Sequence, residues 1–142
     1  MIQIDDVKEK IREAVREFKA LDHAALSRVD IYEPTISHRI AVYLGNLFRG
    51  LNVDCQYSLK NKIRPDIIIH KRSSQENYVI FEIKKSSKNS LAAGLDIKKL
   101  EDAVGGGLGY DLGVFIGVLK RRIDICWIEK TANNLVKNCE TI

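Results

Sequence analysis

The chain has 142 residues, 45% hydrophobic and 30% charged, with a net charge of +4, which describes a globular, soluble protein of one domain able to bury its own core. No stretch approaches the roughly 20 apolar residues of a membrane helix, and MIQIDDVKEK lacks the basic start and apolar run of a secretory leader, so a cytoplasmic protein with no membrane partner is expected. Cys55, Cys126 and Cys139 are odd in number and contain no Cys-x-x-Cys pair, which excludes a zinc or dithiol motif and points to buried or reduced thiols.

Asp6 followed by Glu9 reads as a capping box, and Val7, Ile11, Val15 and Phe18 recur at helical spacing to about Leu21. After a short irregular region, Pro34 suits a first helical turn. Ile36, Ile40, Tyr43, Leu44, Leu47 and Phe48 then form one apolar stripe that Gly50 stops. Glu33 stands at the start of this second helix, where compensation of the helix dipole or a place in a site would each account for it. Val53, Cys55, Tyr57 and Leu59 alternate with Asp54, Gln56 and Ser58 as a half-buried strand before a turn at Lys60-Asn61-Lys62.

The next stretch organises the chain. Asp66-Ile67-Ile68-Ile69-His70 and Tyr78-Val79-Ile80-Phe81-Glu82-Ile83-Lys84 are rich in β-branched and aromatic residues and are separated by the polar Lys71 to Asn77, which predicts a hairpin. A loop centred on Ser74 sets His70 opposite Tyr78 and Asp66 opposite Glu82. Alternation then sends Ile67, Ile69, Val79, Phe81 and Ile83 to a core face and gathers Asp66, Glu82 and Lys84 at one end of the other, a charged corner. Opposed like charges on a sheet cost roughly 0.2 to 1 kcal/mol, so this corner needs a cation. Lys84 supplies one. Hard, closely held carboxylate oxygens also suit Mg²⁺, which takes one or two carboxylates and completes its shell with water and phosphate.

Beyond the hairpin, Ser86 to Ser90 reads as a loop and about Leu91 to Val104 as a helix burying Leu95, Ile97 and Leu100 to varying degrees; Asp96 either touches the site or, the reading preferred, faces solvent. Gly105-Gly106-Gly107-Leu108-Gly109 follows a helix and precedes a strand, the reverse of a nucleotide-binding loop, and lacks Gly-Lys-Ser/Thr. Leu112 to Leu119 and Ile123 to Ile128 read as strands joined by a turn at Lys120-Arg121-Arg122, and the tail from Lys130 to Ile142 as either a short helix or a frayed end. His23, His38 and His70 share no ligand spacing and are read as structural. The order of elements gives an α/β domain over residues 1–142, a mixed sheet of about five strands flanked by helices.

Charge is unevenly spread: Lys60 to Lys99 holds ten Lys and Arg against four acids, +6 in a chain whose remainder is −2. A positive field around an acidic corner suits a polyanion whose phosphates meet Lys and Arg.

Pro65-Asp66, then Glu82-Ile83-Lys84 on the partner strand, with Glu33 upstream on a helix, resembles the PD-(D/E)XK nuclease superfamily over about residues 30 to 120. The flanking EPTISHRIAVYLGNLF and NVDCQYSLKNKIRPDIIIHKR look like uncharacterised prokaryotic members, in which Glu would stand in place of Gln56. The resemblance implies a restriction-endonuclease-like αβββαβ core and Mg²⁺-dependent hydrolysis of DNA phosphodiesters, with Mn²⁺ as a substitute and RNA as the other substrate. Asp66, Glu82 and the backbone carbonyl of Ile83 would hold the metal. Lys84 would orient the attacking water and offset phosphorane charge, and Glu33 would hold a metal-bound water or a second ion. Lys85, Lys88, Lys98 and Lys99 would contact phosphate, with His38 and Arg39 reaching DNA from the second helix. Dimerisation would let so compact a domain span both strands of a duplex. The rival readings are a nuclease-like module that binds DNA or a protein without cutting, and a plain ion pair between Glu82 and Lys84.

Overall fold

The computed structural model describes residues 2–26, 32–59 and 63–142; the expected turn at Lys60-Asn61-Lys62 lies outside them. Three helices come first: α1 (Ile4–Leu21), α2 (His23–Leu26) and α3 (Glu33–Leu47). Three strands follow, β1 (Asn52–Cys55), β2 (Ile67–Lys71) and β3 (Glu76–Lys84), and then α4 (Leu91–Gly105). The chain ends in β4 (Leu112–Val118), β5 (Ile123–Lys130) and β6 (Leu135–Thr141). The strands form one mixed sheet in sequence order. Every neighbouring pair is antiparallel except β3 and β4, which are parallel and are joined through α4. Among the described residues no helix is long and apolar enough to cross a membrane.

Both faces of the sheet are covered. On one, Ile67, Ile69, Val79, Phe81 and Ile83 pack with α1 and α3, through residues such as Ile11, Phe18, Ile36 and Leu44. On the other, Ile68 and Ile80 pack with Phe115, Ile128 and the Ile97, Leu100 and Val104 side of α4. The hairpin's second face is therefore a second apolar layer, charged only at its end, because α4 covers it.

Helix α1 buries Val7, Ile11, Ala14, Val15 and Phe18, as its spacing predicts. It starts three residues earlier than a capping box at Asp6 requires, with Gln3 as N-cap and no side-chain cap bond. Glu9 pairs instead with Arg12, whose Nε also reaches Glu140 at 2.7 Å. In α3, Pro34 occupies the first turn. Gly50 follows its C-terminal end at φ +86°, a left-handed backbone that glycine adopts without strain. Strand β1 stops at Cys55 rather than Leu59 because Gln56 turns to φ +53°.

Several sequence-based expectations need correction. The sheet has six strands, not five, and the tail is β6, paired along its length with β5. Its residues are mostly exposed, so neither burial pattern nor apolar content marks it as a strand. Cys126 and Cys139 stand opposite each other on β5 and β6 and form a disulfide, and only Cys55 is a free thiol, an exposed one. In α4, Leu95 is 63% exposed and Asp96 only 2%, the opposite of the expected phase.

The loop after β3 is threaded over β4. Asp124, fully buried, accepts the Lys88 N–H at 3.2 Å and the Thr141 hydroxyl at 3.0 Å. A Cβ on Gly117 would lie 2.4 Å from the Ser86 carbonyl oxygen. Gly117→Ala is therefore expected to destabilise the fold by about 1–3 kcal/mol, since the obstacle is backbone and must shift. Urea denaturation checks this; an unchanged midpoint would show that the loop yields freely.

Candidate active site

The β2/β3 register places the two acids together. Ile67 pairs with Phe81, Ile68 with Ile80 and Ile69 with Val79, so the sum of partner numbers is the expected one at the Asp66 end. A shift between Ile69 and His70 then sets His70 opposite Asn77 rather than Tyr78. The irregularity lies away from the acids and leaves them in register.

The ladder with β2 ends at Ile67 while β3 continues to Lys84, held from the other side by β4 with Lys84 beside Gly117. The backbone donor beyond the ladder's end is taken by a side chain: Asp66 Oδ2 accepts the Ile83 N–H at 2.6 Å. Gln56 Nε2 donates to Asp66 Oδ1 at 3.2 Å, so the residue standing where the family resemblance would put Glu helps to orient this carboxylate. The Asp66 and Glu82 carboxyls are close enough to act on each other directly.

Glu82 is 6% exposed. Burial first, then the charges of Asp66 and Asp96, push its carboxyl up to about 8. Burial also raises Asp66, against the Ile83 N–H, the Glu82 carboxyl and Lys84, all of which favour its charged form. The pair therefore resists double ionisation and keeps a proton more readily on Glu82, as expected when two carboxyls share a desolvated site.

Around this pair lie groups from both helical layers. Glu33, at the start of α3, accepts the Lys85 N–H at 2.7 Å through Oε2, and its Oε1 lies 4.0 Å from Lys84 Nζ. Asp96, on α4, approaches Lys84 Nζ at 3.6 Å through Oδ2 and accepts from Lys99 Nζ at 3.2 Å through Oδ1. Sequence reading set Asp96 in solvent. The corrective signal was its phase, since Ala93, Asp96, Ile97 and Leu100 all belong to the buried side of α4.

The other expected residues divide. Ile83 is in the site through its backbone. Lys99 borders it, its ammonium strengthened by Asp96, whereas Lys98 pairs with Asp102 at 3.2 Å on the exposed side of α4. Lys88 is in the threaded loop, anchored through its backbone. Arg39 has a partner within the chain: its Nε donates to Asp22 at 3.0 Å, and Tyr43 donates to the same oxygen at 2.6 Å. His38 is exposed on α3. His23 and His70 are buried, and His70 Nε2 bonds Asp54 at 2.6 Å, in keeping with a structural role. A polar cleft of ≈ 460 Å³ lined by Tyr57, His70, Arg72 and Asn77 adjoins the other end of β2 and contains none of the four carboxyls.

Among the described residues no group of three His, Cys, Asp or Glu side chains is arranged to hold a metal ion. Asp96 already faces two lysines, which leaves Asp66 and Glu82. Two carboxylates are sufficient for Mg²⁺, which keeps several waters, and the raised Glu82 is a site short of positive charge, so these residues fit that ion. Searched against protein-family models, curated proteins and solved structures, the chain matches none.

Proposed function

We propose that the chain is a Mg²⁺-dependent nuclease of the PD-(D/E)XK type, hydrolysing phosphodiester bonds in DNA. The observation that carries this reading is the meeting of Asp66 and Glu82 at one end of the β2/β3 ladder, with Lys84 two residues on along the same strand and Glu33 arriving from a helix. The succession α3-β1-β2-β3-α4-β4, an antiparallel meander followed by a helical crossover to a parallel strand, supports a restriction-endonuclease-like core.

In this reading Asp66 and Glu82, both ionised, would hold the ion, with the Ile83 carbonyl as a further ligand. Bound Mg²⁺ supplies Lewis acidity toward a phosphoryl oxygen and acidifies water. Lys84 directs its ammonium at the phosphate and offsets charge that develops there. Glu33 anchors the Lys85 backbone beside the site. The lysines at this end of the molecule meet flanking phosphates, and their salt-dependent contacts would make affinity fall with ionic strength.

The test is incubation of the purified protein with linear, nicked, branched and single-stranded DNA, and with RNA, in Mg²⁺, Mn²⁺ or EDTA. Cleavage of at least one substrate with either metal and none in EDTA is the expected result. Binding without cutting under every condition would instead identify a nucleic-acid-binding module.

A further inference from the structure

We infer that Asp96 is the positioning residue for Lys84, and that it links this lysine to Lys99 in one phosphate-facing clamp. The inference rests on the nuclease reading for its consequence in catalysis, but its structural half stands by itself. Asp96 is 2% exposed, and its Oδ2 makes no hydrogen bond among the described residues. That oxygen is aimed at Lys84 Nζ, 3.6 Å away, while Oδ1 binds Lys99 at 3.2 Å. A buried carboxylate with an unsatisfied oxygen is costly, and two ammoniums are what this one faces.

Lys84 lies between two carboxylates from opposite sides of the sheet: Asp96 of α4 at 3.6 Å and Glu33 of α3 at 4.0 Å. Its four-carbon stem is flexible, so this contest sets where the ammonium rests. Without the charge on Asp96, Lys84 is left to Glu33 and drawn toward α3, off the side where Asp66, Glu82 and Asp96 converge. Lys99, 58% exposed at its side chain, is at the outer end of the same carboxylate. It is placed to take a phosphate next to the one that Lys84 meets.

Two substitutions separate the roles. Asp96→Asn should lower kcat at least ~10-fold with KM within about twofold, because a reacting group is misplaced while the binding surface persists; Asp96→Glu should recover part of kcat. Lys99→Ala should do the reverse, raising KM and reducing the salt slope of binding by about one. Equal losses in kcat and KM for Asp96→Asn, no better in Asp96→Glu, would overturn the inference. Lysine side-chain NMR on the parent protein decides the structural half even if Asp96→Asn does not fold. Lys84 Nζ should be ordered, and mobility equal to that of exposed Lys71 would overturn the inference. Should the parent cut no nucleic acid, the nuclease reading falls, while the NMR result still judges the Asp96–Lys84 coupling.

Discussion

Glu82→Gln is expected to lower metal-dependent cleavage by at least about 100-fold, as when a principal electrostatic element of a transition state is lost, and yet to leave the metal-free protein at least as stable as the parent at pH 7.5. The two effects have one origin. In the metal-free fold burial and the charges of Asp66 and Asp96 raise the Glu82 carboxyl to about 8, which favours its neutral form beside Asp66. A glutamine amide has nearly the shape of that neutral acid and can donate in the same direction, but it cannot become the anion that a divalent ion requires. Cleavage assays beside urea denaturation in EDTA test both halves. A variant that cuts like the parent would remove Glu82 from the chemistry. One that is markedly less stable without metal would mean that Glu82 is held charged, by an ion pair.

The second large effect is in the parent protein alone. Its metal-free stability should fall as pH rises from about 4.5 to about 8, the window set by the ordinary and raised values of Glu82. Within that window the folded state binds the proton more tightly than the unfolded chain, so ν_N exceeds ν_U and ∂ΔG/∂pH is negative. The contribution is complete below the lower value and lost above the upper one. Asp66, also raised by burial, acts in the same direction. The loss should be on the order of 2–4 kcal/mol. Magnesium at about tenfold its Kd should restore roughly 1.4 kcal/mol at pH 8.5 and less at pH 6, where the ion must displace a proton. Denaturation midpoints across pH, with and without Mg²⁺, measure this. A flat profile would show that the carboxyl pair is well solvated.

Much of this site was legible in the sequence because it lies on a hairpin with a strict alternation. Ile67, Ile69, Val79, Phe81 and Ile83 could share one face only if Asp66 and Glu82 met on the other, and the register at that end follows. Where the alternation carried no energy, the reading failed. The shift at His70 lies near the polar turn, where slipping one residue moves no large apolar side chain out of the core. β6 has little apolar content to bury and is a strand because β5 offers it a free edge. In α4 the exposed Leu95 outweighed the phase of its neighbours, since hydrophobic residues are expected inside and acids outside. Asp96 breaks that rule because two lysines compensate it, and its partners are distant in sequence or on the next turn. Lys98 and Arg39 also have carboxylate partners within the chain, Asp102 and Asp22, that their positions in the sequence do not reveal.

Glu82 and Lys84 lie on β3, an interior strand bonded on its far side along β4, whereas Glu33 and Asp66 occupy the first residues of a helix and the lead-in to a strand. Protection against local opening differs accordingly: the interior pair opens with the whole domain, while the flanking pair can fray at small cost. The residues of the candidate site are thus divided between two tiers of cooperativity, one that opens with the sheet and one able to loosen and reseat within the native state.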